Sequence, residues 1–345
     1  MKKISIFAAA LMFAGAANAQ APTNQYQGIA TRPVNVPTNP NTPNGVVNGA
    51  SQGTFSTDYT AYSQDSYINQ AGSNNNATVD QTDGRAAGMR ANGGSTAVID
   101  QTGNRNTANQ QQTLVAGSNF SMGADYGRSF VKSTQAGNAS QSDQKQTSGG
   151  YNKLVVLQGA GTTGNRAIQT QSIDGSGRGA GNQGTIEQTN YTGFGTSGGN
   201  GNRAEQDQSG YNQKALIRQE SDNSFAKQTQ RGGGLAVADG NSADIHQGLP
   251  GNRNTAIQDQ TGVRNTARIQ QGVDSFPTSA DGNFARQTQS NQDNQADIDQ
   301  KSSNNYAEQI QTGMANYSSM SQSNVSSAAY SIQGGNNNSA SVTQH

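Results

Sequence analysis

His246 and His345 are the only histidines in a chain of 345 residues that lacks cysteine. Few side chains are therefore suited to moving protons, attacking as nucleophiles or holding a soft metal. A structural zinc site takes about four nitrogen or sulfur ligands, more than this set supplies. Asp244 and His246 share a strand parity opposite to that of Ile245, which sends both outward as a solvated pair, not a catalytic dyad. Gly232-Gly233-Gly234 and Gly198-Gly199 lack the Lys-Ser/Thr and the helix of a phosphate loop. The calcium-binding glycine-aspartate nonapeptide is missing as well. These residues give no enzyme, no cofactor and no metal site. What the chain carries in quantity is side-chain amide, and amides both donate and accept. Identical ones held one above another bond into ladders.

Such ladders need a backbone that brings equivalent positions into register. Asn254-Thr255-Ala256-Ile257-Gln258-Asp259-Gln260 is followed, after four residues, by Asn265-Thr266-Ala267-Arg268-Ile269-Gln270-Gln271. The frame occurs twice with an eleven-residue step, and offsets 0, 2, 4 and 6 share one parity. A β-strand sends same-parity side chains to one face. Gly262 lies between the two frames, where the chain is expected to reverse. The unit is strand, tight turn, strand.

The frame recurs in two alternating classes. In the first, an aliphatic residue at offset 4 precedes a closing glutamine: Gln70, Gln101, Gln158, Gln188, Gln219, Gln247, Gln271, Gln300, Gln322 and Gln344. In the second, offset 4 is itself glutamine, and the strands close at Gln112, Gln171, Gln208, Gln230, Gln260, Gln289 and Gln311. Four poorer fits close at Gln81, Gln135, Gln144 and Gln333, with Val79, Ser133, Ser142 and Ser331 at offset 4. The total is twenty-one strands, and the true repeat is a pair of about 22 residues. A fixed period of this length is the signature of a solenoid. The fold expected is all-β, a parallel β-solenoid of about ten two-strand coils with cross-β stacking, and no helix. Longer steps hold Gly-, Ser- and Asn-rich insertions, such as 82–94, 113–128, 189–201 and 272–282.

Hydrophobic residues make up 30% of the chain, against roughly 45–50% in an ordinary globular domain. That excludes a large three-dimensional core but suits a stack with one thin layer per coil. Formal net charge is zero, so neither nucleic acid nor an anionic membrane is implied as partner. Residues 1–19 read as a secretory signal, with Lys2 and Lys3, an apolar run from Ile4 to Ala16, and cleavage before Gln20. No other apolar stretch approaches spanning length, so the mature chain is expected to be exported without membrane insertion. Residues 20–60 hold five of the seven prolines and read as a disordered, unpaired leader. Residues 61–345 are the repeat region.

In the stacked arrangement, the candidate self-assembly ladder comprises equivalent positions of several coils. These are Asn106, Ala108 and Gln112; Asn254, Ala256, Gln258 and Gln260; Asn265, Ala267, Ile269 and Gln271. Asn294, Ala296, Ile298 and Gln300, and then Asn338, Ala340, Val342 and Gln344, complete the set. Aliphatic and amide columns are expected to face each other across the layer, with alanine keeping the sheets close. The final frame leaves an uncovered strand edge, which can template another copy. Asp83, Asp222 and Asp293 in the turns are candidate gatekeepers that slow polymerisation.

Gln247…Gly251…Asn254-x-Ala256-x3-Gln260, Gln260-x-Gly262-x-x-Asn265-x-Ala267-x3-Gln271 and Gln101-x-Gly103-x-x-Asn106-x-Ala108-x3-Gln112 resemble the repeats of curlin. Curlin is the subunit of curli, the extracellular amyloid fibres of bacteria. The resemblance covers about residues 64–345. It implies a secreted structural subunit that leaves through an outer-membrane pore and is nucleated by a minor subunit. Such a chain polymerises with itself at the cell surface, in biofilm matrix and adhesion. The chain departs from the family in its larger number of repeat pairs, its long insertions and its Pro-rich leader. A second reading is a monomeric secreted adhesin or ice-binding solenoid, which needs a regular outward array. Thr78, Thr107, Thr255 and Thr266 hint at one.

Overall fold

The structure, a computed structural model, describes residues 44–47, 50–54, 65–83, 95–114, 129–147, 152–172, 181–190, 199–232, 239–248, 251–272 and 280–345. The signal sequence and most of the insertions lie outside these residues. Strands β1 (Asn44–Val47) and β2 (Ala50–Thr54) pair antiparallel. This differs from the expectation of a wholly unpaired leader. All five leader prolines precede the pair, so its ladder donors are intact.

The repeat region forms two parallel sheets. Chain order runs β3 (Asp65–Ala71), β4 (Asn76–Asp83), β5 (Ser95–Thr102), β6 (Thr107–Leu114), β7 (Ser129–Gln135), β8 (Gln141–Thr147), β9 (Lys153–Gln158) and β10 (Arg166–Ser172). It continues with β11 (Gln183–Gln188), β12 (Arg203–Gly210), β13 (Lys214–Gln219), β14 (Phe225–Gly232), β15 (Ser242–Gln247), β16 (Thr255–Val263) and β17 (Thr266–Gln271). The last six are β18 (Phe284–Gln292), β19 (Gln295–Gln300), β20 (Tyr306–Met314), β21 (Tyr317–Gln322), β22 (Ala328–Gly334) and β23 (Ser339–Gln344). Odd-numbered strands from β3 to β23 build an eleven-stranded sheet, and even-numbered strands from β4 to β22 a ten-stranded one. Each strand pairs in parallel with the strand two places on. The chain therefore crosses from sheet to sheet at every turn, and the fold is a parallel β-solenoid.

Register follows the sequence frame. Ala256 pairs with Ala226 and Ala285, Gln258 with Gln228 and Gln287, and Gln260 with Gln230 and Gln289. Ile269 lies between Ile245 and Ile298 in the other sheet. Along β15, β17 and β19, burial alternates residue by residue, as a two-residue side-chain period requires. The aliphatic core runs from Val156 through Ile186, Ile217, Ile245, Ile269 and Ile298 to Met320, packed against Ala167, Ala204, Ala226, Ala256, Ala285 and Ala307 of the facing sheet. The expected facing of aliphatic against amide column is corrected here: alanine is what the aliphatic column meets.

Two further expectations are corrected. The strand expected to close at Gln144 closes two residues later, at Gln146. Ser142 pairs with Ala108 and Ala167, and Gln144 with Gln110 and Gln169. It is thus an ordinary amide-class strand whose alanine is replaced by serine. The strand expected to close at Gln81 does so, in the amide sheet, with Val79 at the rung before Gln110. Finally, the chain does not turn at Gly262, since β16 runs on to Val263. Arg264, at φ 56°, supplies the left-handed corner, and Asp293, Ala315 and Asn337 do the same in the next coils. Gly262 is required for another reason: a Cβ there would lie 1.9 Å from the carbonyl oxygen of Asn291 in the next coil.

Candidate self-assembly site

Gln258 shows how the layer satisfies a buried amide. Its Nε2 donates to Gln287 Oε1 at 3.0 Å and, across the layer, to the Asp244 carbonyl at 2.9 Å. Its Oε1 accepts from Gln228 Nε2 at 2.9 Å. Both N–H groups and the oxygen are used, so a fully buried amide carries no desolvation penalty of the orphaned kind. The ladder extends from Gln110 through Gln144, Gln169, Gln206, Gln228, Gln258 and Gln287 to Gln309, and at its start, where Val79 occupies the preceding rung, Gln110 Oε1 is buried without a partner.

The closing glutamines form two longer ladders. One runs without a break from Gln70 through Gln101, Gln135, Gln158, Gln188, Gln219, Gln247, Gln271, Gln300 and Gln322 to Gln344. The other runs from Gln81 through Gln112, Gln146, Gln171, Gln208, Gln230, Gln260, Gln289 and Gln311 to Gln333. In all three ladders Nε2 donates toward the coil nearer the C-terminal end. The stack is therefore polar, with acceptor oxygens leading at the β3–β4 end and donor amides at the β22–β23 end.

Asparagine holds the corners. Asn265 Oδ1 accepts from the Asn294 backbone N–H at 3.0 Å, and its Nδ2 donates to the carbonyls of Thr261 and Asn291. Asn294 and Asn316 repeat the pattern coil after coil, and in the last described coil Asn338 Nδ2 donates to the Gly334 carbonyl and to Asn316 Oδ1. At the other corner Asn106 Oδ1 accepts from Ser140 N, and Asn254 Oδ1 from Asn283 N. Asn254 Nδ2 itself is buried without a partner.

Of the sequence-predicted ladder, Asn106, Ala108, Gln112, Asn254, Ala256, Gln258, Gln260, Asn265, Ala267, Ile269, Gln271, Asn294, Ala296, Ile298 and Gln300 are buried in the layer. Asn338, Ala340, Val342 and Gln344 occupy the same columns but are partly or fully exposed, because no described strand covers β23. The structure thus brings every predicted position into its column and places the last four on an open edge.

The other candidates fall outside the layer. His246 Nε2 lies 3.5 Å from Glu220, not against Asp244. Burial holds the Asp244 carboxyl above the usual range, offset by His246, Arg218 and Arg268. No group of three or more His, Asp or Glu that could hold a metal ion occurs among the described residues. Nor is any described helix long and apolar enough to cross a membrane. The four threonines do not form an array: Thr78 stacks on Asn109, Thr255 lies between Phe225 and Phe284, and Thr266 between Ser242 and Gln295. Thr107 lies between Asn76 and Gln141. Asp222 accepts from the Asn200 backbone at 2.7 Å, and Asp293 is bridged by Arg264, which also reaches Asp239.

Comparison with protein-family models, with curated proteins and with solved structures gives no match.

One outward feature escaped the sequence reading, and one expected from it is present. Tyr67 and Val98, on the nominally solvated parity of β3 and β5, are buried and pack with Phe130. A run of apolar outward residues (Tyr67, Val98, then Val155 and Leu157) was the available signal. Near the other end, the Phe284 and Tyr306 rings stack at 5.0 Å and 9°, and Tyr330 follows at 5.2 Å. Phe284 and Tyr306 each follow a strand-opening asparagine, 22 residues apart and in register, as stacking between coils requires, whereas Tyr330 pairs with Glu308 and reaches the stack from two residues along its strand.

Proposed function

We propose that this chain is a structural subunit of an extracellular curli-like fibre. It polymerises with other copies of itself by end-to-end cross-β stacking and serves biofilm matrix and adhesion. The observation that carries this is the continuity of the two closing-glutamine ladders up to strand edges that no described strand covers. Each coil is stable because it lies on another coil. A copy placed on either edge repeats that relationship, with backbone ladders and amide columns about 4.8 Å apart. Ladder polarity favours head-to-tail association, since donors at one end meet acceptors at the other. Such a heterologous contact does not close on itself and propagates as a filament.

The curlin-like repeats and the signal-like segment 1–19 fit export. A secretion pore and a nucleating minor subunit follow as partners from the resemblance. The scattered threonine positions leave the adhesin or ice-binding alternative without the regular face it needs.

The test is incubation of residues 20–345 at micromolar concentration, followed by thioflavin fluorescence, electron microscopy and fibre diffraction. Thioflavin-positive filaments with a meridional reflection near 4.8 Å are expected. A persistently monomeric, dye-negative solution overturns the proposal.

A further inference from the structure

Two outward columns of the even-numbered sheet are arranged symmetrically about β16. At the first outward position, successive rungs carry Arg203, Phe225, Thr255, Phe284 and Tyr306. The Arg203 guanidinium lies over the Phe225 ring, 5.7 Å from its centroid, and the Phe284 and Tyr306 rings stack at 5.0 Å and 9°. Each phenylalanine thus has one face covered from the side away from β16 and turns the other toward the Thr255 rung. Threonine is the short side chain of this run, and Phe225, Thr255 and Phe284 are each partly exposed.

Neighbouring rungs are about 4.8 Å apart, so the two phenylalanine rings are separated by roughly 9.6 Å. One planar ring at the level of Thr255 would lie about 4.8 Å from each. That is close to the 5.0 Å at which Phe284 already stacks on Tyr306, and within the separations that aromatic pairs favour. The second column, two residues along each strand, reads Glu205, Lys227, Ile257, Arg286 and Glu308. Lys227 Nζ lies 3.5 Å from Glu205, and Arg286 Nη1 lies 3.6 Å from Glu308. Both carboxylates therefore sit on the rungs farther from β16, and two cations flank Ile257 with no acid between them in that column. Such a pair repels itself, and an anion at the Ile257 rung relieves the repulsion. Asp259, the next outward residue of β16, bars an anion from lying farther along the strand.

We infer that β16 and its two neighbours, β14 and β18, form a binding site for a small planar aromatic anion. The ring enters between Phe225 and Phe284, above Thr255, and completes the column of stacked groups. Its carboxylate rests above Ile257, between Lys227 and Arg286. Contact on both ring faces holds the ligand, and the two cations fix which way it points. Two residues of strand rise by roughly 6.6 Å, so the ring and the anionic group must stand well apart. That favours an acid carried on a second fused ring or a short alkyl arm over one attached directly to a single ring. The site is complete within one chain and holds whether or not copies stack.

The experiment titrates 2-naphthoate into the full chain at neutral pH and follows its fluorescence. Saturable binding of one equivalent per chain is expected. Thr255→Phe puts a ring of the protein's own into the column. It is expected to weaken binding by about tenfold or more without lowering the melting temperature. Phe284→Leu removes one wall without adding bulk, and a several-fold loss is expected there too, which gives a reading even where Thr255→Phe does not fold. The double variant Lys227→Gln/Arg286→Gln is expected to weaken 2-naphthoate several-fold and to leave neutral 2-naphthol unaffected, a difference that lost packing does not produce. Absence of saturable binding at millimolar probe overturns the inference. So does equal affinity in the parent, Thr255→Phe and Phe284→Leu. Equal losses of both probes in the charge variant overturn the choice of an anion.

Discussion

Leu154 and Gly184 are register partners on adjacent coils, in a column that elsewhere carries mostly alanine, and the second makes room for the first. A Cβ on Gly184 would lie 3.1 Å from Leu154 Cδ2 and 3.0 Å from the side-chain oxygens of Gln206 and Gln208. One large and one absent side chain thus keep the layer at the thickness that two alanines set in neighbouring coils. Gly184→Ala is expected to destabilise by about 1–3 kcal/mol through overpacking. Leu154→Ala alone should cost about 2–5 kcal/mol by opening a cavity. In the double variant the alanine regains space, and a favourable coupling of about 1 kcal/mol is expected between the two sites. Urea unfolding of the four members of the cycle measures it; strict additivity would refute the pairing.

Gln258 sits in the middle of an amide ladder whose neighbours depend on it from both sides. Gln258→Leu keeps volume but orphans the Gln228 N–H and the Gln287 oxygen. Each buried orphan costs about 1–3 kcal/mol, so this change should be among the more damaging apolar substitutions. Ile269→Val, in the aliphatic column, should cost only about 0.5–1.5 kcal/mol. Hydrogen exchange across β14, β16 and β18 would show the loss spreading to both adjacent coils.

Gly262 carries a left-handed φ of 110° against the backbone of the next coil. Gly262→Ala therefore meets both an unfavourable φ and a collision with a carbonyl that no side-chain rotation relieves. It should lose cooperative unfolding at β16–β18. Gly164→Ala is the control. Its φ is 72° with open space where a Cβ would go, so only the left-handed penalty of about 1–2 kcal/mol applies. Circular dichroism melts of the two variants distinguish clash from φ strain.

Acid should strengthen much of the outer face. Burial holds Asp100, Asp244 and Asp297 above the ordinary carboxylate value of 3.8. A carboxyl raised on folding favours the protonated state. Its contribution is fully present below 3.8 and is lost as pH rises through the raised folded value. Asp293 runs the other way, because Arg264 lowers it. Its contribution is present above 3.8 and is lost as pH falls through the depressed value. The urea midpoint should rise between pH 7 and about pH 4.5, and Asp244→Asn should reduce that rise.

The aromatic stack of Phe284, Tyr306 and Tyr330 steadies the outward face of the last coils. Tyr306 also donates to Glu308 at 2.9 Å. Tyr306→Ala should cost about 0.5–1.5 kcal/mol beyond its buried area. Local protection of β20 and β22 should fall while β14 is unaffected.

Much of this architecture was legible because the side-chain period of a strand is two. The parity of Asn265, Ala267, Ile269 and Gln271 fixes which residues face inward, and the eleven-residue step fixes how they repeat. The reading slipped where the frame changes its letters. With Ser140 in place of asparagine and Ser142 in place of alanine, the run Gln141–Thr147 offered two glutamines as closers, and only pairing with Gln112 and Gln171 selects Gln146. The corner was misplaced for a similar reason. Glycine signals permitted backbone, but whether it marks a turn or a close approach depends on the coil above it.

The sequence by itself determined the solenoid: a thin layer, two strand classes and amide columns, because identical residues at a fixed step must fall on one another. Tertiary structure decided what lies across the layer and beyond it. It placed alanine opposite the aliphatic column, let Gly184 accommodate Leu154 and buried Tyr67 on an outward face. Those relations depend on how far each turn carries the chain and on which rung meets which. Periodicity along one strand holds no information about either.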